Sequence, residues 1–166
     1  MLEIEKAGTA QIDIIQQLTY AIWPEAYKEI LKTEQLAYML ELIYSKQALT
    51  NQIEDLGHMF IVVYDENIPV GFASYSPKSA ENNSVYRLNK LYMLPNQQGK
   101  GTGKFLLNYV IDQIKNAGVK TLELNVNRQN KAIHFYKKIG FFISKEEDID
   151  IGGGYFMNDY VMSLEL

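Results

Sequence analysis

Two kinds of hydrophobic pattern run along the chain, and each predicts one kind of secondary structure. Where apolar and polar residues alternate, or where a short apolar run lies between turn residues, we expect β-strands. Where apolar residues recur every three or four positions, we expect helices that bury one face. The predicted strands cover residues 2–7, 58–65, 69–76, 85–94 and 120–126, followed by two strands on either side of Gly152-Gly153-Gly154.

The helical pattern occurs in five segments. Thr9 is the expected N-cap of the first helix, and the Trp23-Pro24 step should end that helix near Ile22. Gly118 and Gly140 should end the last two helices, because glycine readily adopts the left-handed conformation that closes a helix. The five predicted helices cover about residues 9–22, 33–43, 45–55, 100–117 and 129–138.

The order of these elements predicts the fold class. One strand and three helices precede a hairpin joined by Glu66-Asn67-Ile68, and a loop over residues 78–84 leads to the long strand at 85–94. Helix, strand, helix and two strands follow. This order predicts a mixed α/β or α+β fold with helices on the faces of one sheet. At 166 residues, the chain is expected to form a single domain over residues 1–166.

Composition excludes several classes of function. Hydrophobic residues make up 47% of the chain and charged residues 22%, as in ordinary globular proteins. The formal net charge of −4 argues against nucleic-acid binding by charge, and no apolar run approaches the ~20 residues that span a membrane. The N-terminus lacks the pattern of a secretory signal, and there is no cysteine. We therefore expect a cytoplasmic protein without disulfides.

A glycine-rich loop lies between the long strand and the next helix, in LYMLPNQQGKGTGKFLL (Leu91–Leu107). Glycines allow positive φ and let an anion approach the backbone, and the first amides of a helix have no intrahelical acceptor. The loop therefore predicts a phosphate-binding site, to which Lys100 and Lys104 add positive charge.

Two common nucleotide-binding motifs do not fit this loop. A P-loop requires GxxxxGK[ST], and counting from Gly99 puts Lys104 where its second glycine belongs. The dinucleotide motif GxGxxG requires a small residue where Leu106 stands. A dinucleotide-binding protein stays as an alternative that a comparison of CoA and NAD binding would test.

Two motifs resemble those of the GNAT N-acetyltransferases. Residues Gln98-Gly-Lys-Gly101-Thr-Gly103 match the family's acetyl-CoA signature, [QR]xxGx[GA], at every fixed position. Residues 132–141 (AIHFYKKIGF) resemble the family's A-x-x-x-Y-x-x-x-G-F. The family often has an asparagine three residues before that alanine, where this chain has Gln129, with Asn130 one residue later.

The resemblance implies a GNAT-like fold and acetyl transfer from acetyl-CoA to a primary amine, by direct attack in a ternary complex. The implied fold has a mixed, mostly antiparallel sheet that splays between its fourth and fifth strands. Tyr136 is the implied catalytic residue, near the CoA sulfur, as general acid or as a hydrogen-bond donor to the leaving thiolate. The implied cofactor-binding residues are Leu91, Tyr92, Met93, Gln98, Gly99, Lys100, Gly101, Thr102, Gly103, Lys104, Asn130 and Tyr136.

The general base is not evident in the sequence. Many relatives place a glutamate on the long strand, whereas this chain has Arg87, Asn89 and Lys90 and no acid between Val85 and Leu94. A carboxylate elsewhere or a chain of water molecules must then serve. The candidates are Asp148, Asp150 and Asp159. No metal-ligand spacing is present, so no metal is predicted.

In the family's fold, the acceptor pocket lies near the early helices and the last strands. Trp23, Tyr27, Tyr155 and Asp159 are the expected substrate-binding residues, an aromatic and acidic set that suits an amine cation. The closing GYFMNDYVM resembles bacterial polyamine acetyltransferases, while a protein or peptide amine or an antibiotic stays open as the acceptor. The alternative function is a catalytically silent CoA-binding sensor. A homodimer is compatible with the exposed strand edges.

Overall fold

The computed structural model describes all 166 residues and contains seven strands and five helices. Each predicted helix and strand is present, with shifted ends in several cases. No helix combines the length and apolarity that a membrane span needs. The elements are β1 (Leu2–Ala7), α1 (Ile12–Tyr27), α2 (Thr33–Tyr44), α3 (Lys46–Glu54), β2 (Met59–Asp65), β3 (Ile68–Ser79), β4 (Asn82–Met93), α4 (Thr102–Asn116), β5 (Thr121–Asn127), α5 (Ala132–Ile139), β6 (Phe142–Gly152) and β7 (Tyr155–Glu165).

The strands form one mixed sheet in the order β1-β2-β3-β4-β5-β7-β6. The pair β4–β5 is parallel, and the pairs β1–β2, β2–β3, β5–β7 and β6–β7 are antiparallel. The register of β4 and β5 ends with Leu88 opposite Leu124, although β4 continues to Met93 and β5 to Asn127. The predicted fold class is confirmed, with one mixed, mostly antiparallel sheet that contains a parallel β4–β5 pair.

The residues group into two compact units. The first contains Met1–Ser76 and Lys90–Val110, and the second contains Pro77–Asn89 and Ile111–Leu166. Strand β4 and helix α4 each contribute residues to both units. One domain over residues 1–166 stays a prediction.

The core of the first unit forms around β2, whose residues 60–63 (FIVV) are all buried. A strand buried on both faces reads as a continuous apolar run, which is why this segment does not alternate. Ile15 and Leu18 of α1 and Leu106 of α4 are also buried in this unit. Each fully buried aliphatic or aromatic side chain contributes about 1.5–3 kcal/mol through apolar burial.

The second unit shows strict alternation in β5. Leu122, Leu124 and Val126 are buried, while the side chains between them are partly exposed. Helix α5 has its own buried pair, Ile133 and Tyr136. The opposite face of β5 therefore presents polar side chains, which belong to the candidate site described below.

Two predictions about the first helix are wrong. Thr9 is not its N-cap, because a short turn over Thr9–Gln11 precedes α1 and the Gln11 side chain accepts a hydrogen bond from the Gly8 amide at 2.7 Å. Pro24 does not end the helix, which continues to Tyr27. Proline inside a helix costs about 3 kcal/mol. Packing of the buried Trp23 against Tyr27, with ring centroids 4.7 Å apart, favours the continuation.

Three connections differ from prediction. The hairpin turn between β2 and β3 is Glu66-Asn67 alone, with φ of 49° and 67°, which is the geometry of a two-residue hairpin turn. The predicted loop over residues 78–84 shrinks to Ala80-Glu81 because both flanking strands are longer. Helix α5 begins at Ala132 rather than at Gln129. The amide of Gln129 donates to the Asn127 side chain instead, in a tight turn.

Candidate active site

The glycine loop lies in the first unit, between a turn at Pro95–Gln97 and the start of α4. Gly99 and Gly101 have φ of +78° and +79°, a conformation that other residues rarely adopt. A Cβ atom added at either glycine would meet no atom within 4 Å. The glycines are therefore required by backbone conformation, and the space in front of them is open.

Amide groups point out of the helix start in this loop. The first amide of α4 with a helical acceptor is that of Phe105, which donates to the Gly101 carbonyl at 2.9 Å. The amides of Thr102, Gly103 and Lys104 precede it and have no intrahelical acceptor. By contrast, the amides of Gln98 and Lys100 are occupied by turn hydrogen bonds of 3.3 Å. Three free donors beside an open glycine backbone fit a diphosphate.

A buried hydrogen bond holds the loop in shape. Thr102 Oγ1 donates to Gln97 Oε1 at 2.9 Å, and both residues are buried. The side chain of Thr102 is thus used inside the protein, and only its amide is available for a ligand. Lys100 and Lys104 are exposed. Of the predicted loop residues, the structure therefore offers mainly main-chain donors with two lysines beside them.

The end of β4 precedes the loop, and its residues Leu91, Tyr92 and Met93 are half-buried. One edge of this segment is closely packed against β3, because a Cβ atom on Gly71 would lie 2.8 Å from the Tyr92 carbonyl oxygen. The Leu94 amide also donates to the Val70 carbonyl at 2.9 Å. The backbone of the predicted pantetheine segment is thereby fixed on its β3 side.

An aromatic cluster in the first unit contains two of the predicted substrate-binding residues. The rings of Trp23 and Tyr27 are 4.7 Å apart, and the hydroxyls of Tyr27 and Tyr92 are 3.1 Å apart. Trp23 is only 3% exposed and also packs against Tyr44, whereas Tyr27 is half-buried. Trp23 therefore supports the cluster from inside. The other two predicted residues, Tyr155 and Asp159, lie on β7 in the second unit.

Tyr136 is a buried residue of α5. It is 7% exposed, and its ring lies 5.3 Å from that of Phe135 and 5.5 Å from that of Phe141. Asn130 lies in the turn before α5, where its Oδ1 accepts a hydrogen bond from the Ala132 amide at 2.9 Å. Lys131 is the N-cap residue of α5, and the bond from Ala132 places Asn130 in the turn that leads into the helix. The contact of Asn130 with CoA stays a prediction.

The three candidate acids for the general base have different surroundings. Asp148 is exposed and forms an ion pair with Arg128. Asp150 is exposed, and its Oδ1 accepts a hydrogen bond from the Gly152 amide at 2.9 Å. Asp159 is 3% exposed and has no ion pair, and burial raises the pKa of its carboxyl. Of the three, only Asp159 is a buried acid.

A polar network surrounds Asp159 on one face of the second unit. Asn125 Nδ2 donates to Asp159 Oδ2 at 3.3 Å and to Glu147 Oε2 at 3.2 Å, while Asn125 Oδ1 accepts from Arg87. Arg87 also lies 3.6 Å from Glu123 Oε1. Sequence reasoning missed Asn125 and Glu147, although the alternation in TLELNVN assigns Asn125 to the polar face of β5. No cluster of three or more His, Asp or Glu side chains is arranged to hold a metal ion.

Lys90 is a second feature that sequence reasoning missed. It is 7% exposed, its Nζ donates to Gln52 Oε1 at 2.7 Å, and burial lowers its pKa to about 8. The Nζ atom lies 5.5 Å from the ring centroid of Tyr44 and 5.4 Å from that of Phe60. The nearby His58 has its pKa lowered to about 4 by burial and by the charge of Lys90. A lysine on β4 thus occupies the interior of the first unit.

Comparison with known proteins identifies the family. Residues 27–155 match the Acetyltransferase (GNAT) domain, and the chain therefore belongs to the GNAT family of acetyltransferases. The chain is 29% identical to the spermidine N(1)-acetyltransferase of Thermoplasma acidophilum, in an alignment that covers 90% of this chain and 91% of that relative. It is 42% identical to the [ribosomal protein bS18]-alanine N-acetyltransferase of Haemophilus influenzae, over 42% of the chain and 44% of that relative.

A solved structure shows the same fold. The PaiA N-acetyltransferase from Thermoplasma acidophilum, determined in complex with coenzyme A, superposes with a TM-score of 0.83 and 24% identity, covering 100% of this chain and 99% of that one. The predicted resemblance to the GNAT family is thus confirmed by both sequence and fold.

Proposed function

We propose that this GNAT acetyltransferase uses acetyl-CoA as cosubstrate and transfers the acetyl group to a primary amine. The observation that carries the proposal is the loop before α4, where the amides of Thr102, Gly103 and Lys104 lack helical acceptors beside the open Gly101 backbone. A diphosphate needs several donors that converge at a helix start, and the dipole of α4 favours the negative charge there. Coenzyme A supplies such a diphosphate and a thiol that carries the acetyl group.

Three parts of the chain would hold the cosubstrate. Within the loop Gln98–Lys104, the amides of Thr102, Gly103 and Lys104 bind the diphosphate, and the side chains of Lys100 and Lys104 add positive charge. The backbone of Leu91, Tyr92 and Met93 pairs with the two amides of the pantetheine arm, as an added strand would. Asn130 lies in the turn before α5, where a contact to coenzyme A would be compatible with the hydrogen bond that its side chain accepts from the Ala132 amide.

Tyr136 would stabilise the leaving thiolate. A phenol of pKa ~10 is a weak proton donor to a thiolate of pKa ~8.5, so hydrogen-bond donation to the sulfur contributes as much as proton transfer. The packing of its ring between Phe135 and Phe141 supports this role, because it restricts the direction of the hydroxyl. In either role, removing the hydroxyl of Tyr136 should lower the rate of acetyl transfer.

For the acceptor we propose a polyamine. Aromatic rings attract ammonium ions through cation–π contacts worth ~0.5–2 kcal/mol each, and Tyr27, beside Trp23, provides one such ring. Strand β7 provides the ring of Tyr155 and the carboxylate of Asp159, which attracts an ammonium ion by charge. The relative from Thermoplasma acidophilum named for spermidine supports this class. The ribosomal-protein relative makes a peptide amine the second candidate. The cysteine-free sequence fits the cytoplasmic location that we propose.

The experiment is an acceptor screen. Release of free CoA thiol from acetyl-CoA is measured with spermidine, spermine, a lysine-containing peptide and a peptide with an N-terminal alanine. We expect amine-dependent release that is fastest with the polyamines. Binding of coenzyme A without release for any amine would instead favour the CoA-binding sensor, for which the missing carboxylate on β4 is the supporting observation.

A further inference from the structure

Asp159 is the one buried carboxylate of the second unit without an ion pair. The residue is 3% exposed, and the only hydrogen bond to its carboxylate is the 3.3 Å contact from Asn125 Nδ2 to Oδ2. An ionised carboxylate loses hydration when it is buried, and a buried charge is normally paired. Asp159 therefore lies in a setting that favours acquisition of a proton or of a cation.

Asn125 holds Asp159 beside a second carboxylate. One side-chain amide group donates to Asp159 Oδ2 and to Glu147 Oε2, at 3.3 Å and 3.2 Å, and its oxygen accepts from Arg87. Both polar atoms of the Asn125 side chain thus form hydrogen bonds. The asparagine orients two acids from neighbouring strands, since Glu147 on β6 is paired with Asp159 on β7.

The pKa values of the two acids are shifted in opposite directions. Hydrogen bonds from Lys145 and then from Asn125 lower the pKa of Glu147, whereas burial raises the pKa of Asp159. The adjacent Glu147 charge raises the pKa of Asp159 further, while the Asn125 hydrogen bond and the charges of Arg128 and Arg87 oppose the increase. Pairs of acids whose pKa values diverge mark the assignment of proton-transfer roles in many sites. Glu147 stays ionised, and Asp159 is the group that exchanges a proton.

The register of the sheet aligns Asp159 with the open part of β5. Pairing of β5 with β4 ends at Leu124, so Asn125 and the residues after it have no partner on that side within the second unit. Asp159 lies directly opposite Asn127 across the β5–β7 pair. Asn125 and Asp159 therefore flank the segment where the parallel pairing stops.

We propose that Asp159 is the general base of the reaction and that Asn125 is its positioning residue. The proposal rests on the proposed function. In the step assigned here, the acceptor ammonium gives one proton to the Asp159 carboxylate and becomes a neutral amine. The amine nitrogen then forms a bond to the thioester carbonyl carbon, and the carbon–sulfur bond breaks. The nitrogen then loses a second proton, which ends on the leaving thiolate and gives the thiol of coenzyme A. Asp159 releases its proton to solvent.

The other acids are engaged in different contacts. Asp148 is paired with Arg128, and Glu123 is paired with Lys78 at 3.0 Å and with Arg87 at 3.6 Å. Asp150 accepts from the Gly152 amide at the glycine turn between β6 and β7. These contacts give the three carboxylates structural roles, in ion pairs and in the turn.

The test compares Asp159→Asn with wild type and with Asp112→Asn, which makes the same substitution at an exposed position of α4. Thermal unfolding is measured first. Asp159→Asn should be as stable as wild type at pH 7, because it removes a buried charge and keeps the side-chain size. The kcat/KM for the best amine should fall about 100-fold in Asp159→Asn, the usual contribution of a general base, and stay unchanged in Asp112→Asn.

The pH profile separates proton transfer from mere binding. In wild type, kcat/KM should rise through the ionisation of Asp159 and through that of the amine, while Asp159→Asn should show only the ionisation of the amine. The difference between the two should shrink with an acceptor of low pKa, such as trifluoroethylamine, which is already neutral in the assay. Asn125→Leu should give a smaller loss with a shifted profile.

Three results would overturn the proposal. The first is an unchanged kcat/KM and pH profile in Asp159→Asn, with wild type active. The second is an equal loss with the low-pKa amine, which would assign Asp159 to binding alone. The third is a wild-type protein that turns over no amine, and that result would remove the proposed function and this inference together. Coenzyme A binding by Asp159→Asn, expected to be unchanged, distinguishes the first two cases from a misfolded variant.

Discussion

Thr102 Oγ1 donates a hydrogen bond of 2.9 Å to Oε1 of Gln97, and the two side chains are 1% and 6% exposed. The bond links the turn before the glycine loop to the first residue of α4, so it closes the loop at its base. Removing one partner of a buried hydrogen bond destabilises a protein by more than the bond's net contribution to stability, because the remaining partner stays buried without a hydrogen bond. The geometry of the predicted diphosphate site therefore depends on a pair of side chains that do not touch the ligand.

Replacing Thr102 by valine tests this dependence. The substitution keeps the shape and leaves Gln97 Oε1 buried without its donor, so the free energy of unfolding should fall by about 1–3 kcal/mol. Coenzyme A affinity should fall about tenfold as the loop loosens, which is about 1.4 kcal/mol. Urea unfolding and calorimetry measure the two effects. Thr50→Val is the control, because Thr50 bonds only to the Lys46 carbonyl on an exposed helix face. A Thr102→Val protein with wild-type affinity would show that the bond is not needed for the site.

Replacing Gly101 by aspartate places a negative charge in the loop. Gly101 has φ of +79°, so any side chain there is strained, and the carboxylate would repel the diphosphate as well. Coenzyme A binding should be lost in Gly101→Asp, while Gly101→Asn should retain part of it, since only the charge differs. Gly57→Asp, at φ of +68° after α3, is the control for strain. Equal binding by Gly101→Asp and Gly101→Asn would argue against an anion at this position.

Removing the hydroxyl of Tyr136 tests its assignment to the thiolate. Phenylalanine keeps the packing against Phe135 and Phe141, so stability and coenzyme A affinity should stay near wild type. The kcat should fall about 100-fold, as expected for the loss of a proton or hydrogen-bond donor in the reaction. Steady-state kinetics of Tyr136→Phe and of the control Tyr109→Phe provide the measurement. Full turnover by Tyr136→Phe would remove Tyr136 from the chemistry.

Lys90 predicts an unusual dependence of stability on pH. Its pKa is about 8 in the folded protein against an ordinary value of 10.5, so above pH 8 the unfolded chain binds more protons than the folded chain. The free energy of unfolding should therefore increase by about 2 kcal/mol between pH 8 and pH 10 because of this group, and Lys90→Met should lack that increase.

Chemical unfolding of wild type and Lys90→Met at a series of pH values gives the difference directly. Lys46→Met, at a lysine 72% exposed, should leave the pH dependence of wild type in place. Parallel curves for wild type and Lys90→Met would mean that Lys90 is not desolvated in the folded state.

Local signals explain why most of the fold and the loop could be predicted. The Ser45 hydroxyl accepts a hydrogen bond from the Ala48 amide at 3.1 Å, as expected where a helix starts with serine. Gly101 adopts the positive φ for which glycine is suited. Such signals depend only on residues that are close together in the chain, so they can be recognised from the sequence alone.

Long-range packing explains what could not be predicted. Lys90 and Gln52 are 38 residues apart in the chain, and nothing near Lys90 indicates that its ammonium is buried. The burial of Asp159, but not of Asp148 or Asp150, follows from the position of β7 between β5 and β6. Pro24 continues a helix because of the packing around Trp23, which no helix rule includes.

The most direct measurement is a crystal structure of the protein with coenzyme A. We expect the diphosphate within hydrogen-bond distance of the amides of Thr102, Gly103 and Lys104, with the pantetheine arm along Leu91–Met93. A complex in which the diphosphate binds elsewhere, or a loop whose own side chains fill the space in front of Gly101, would contradict this binding mode.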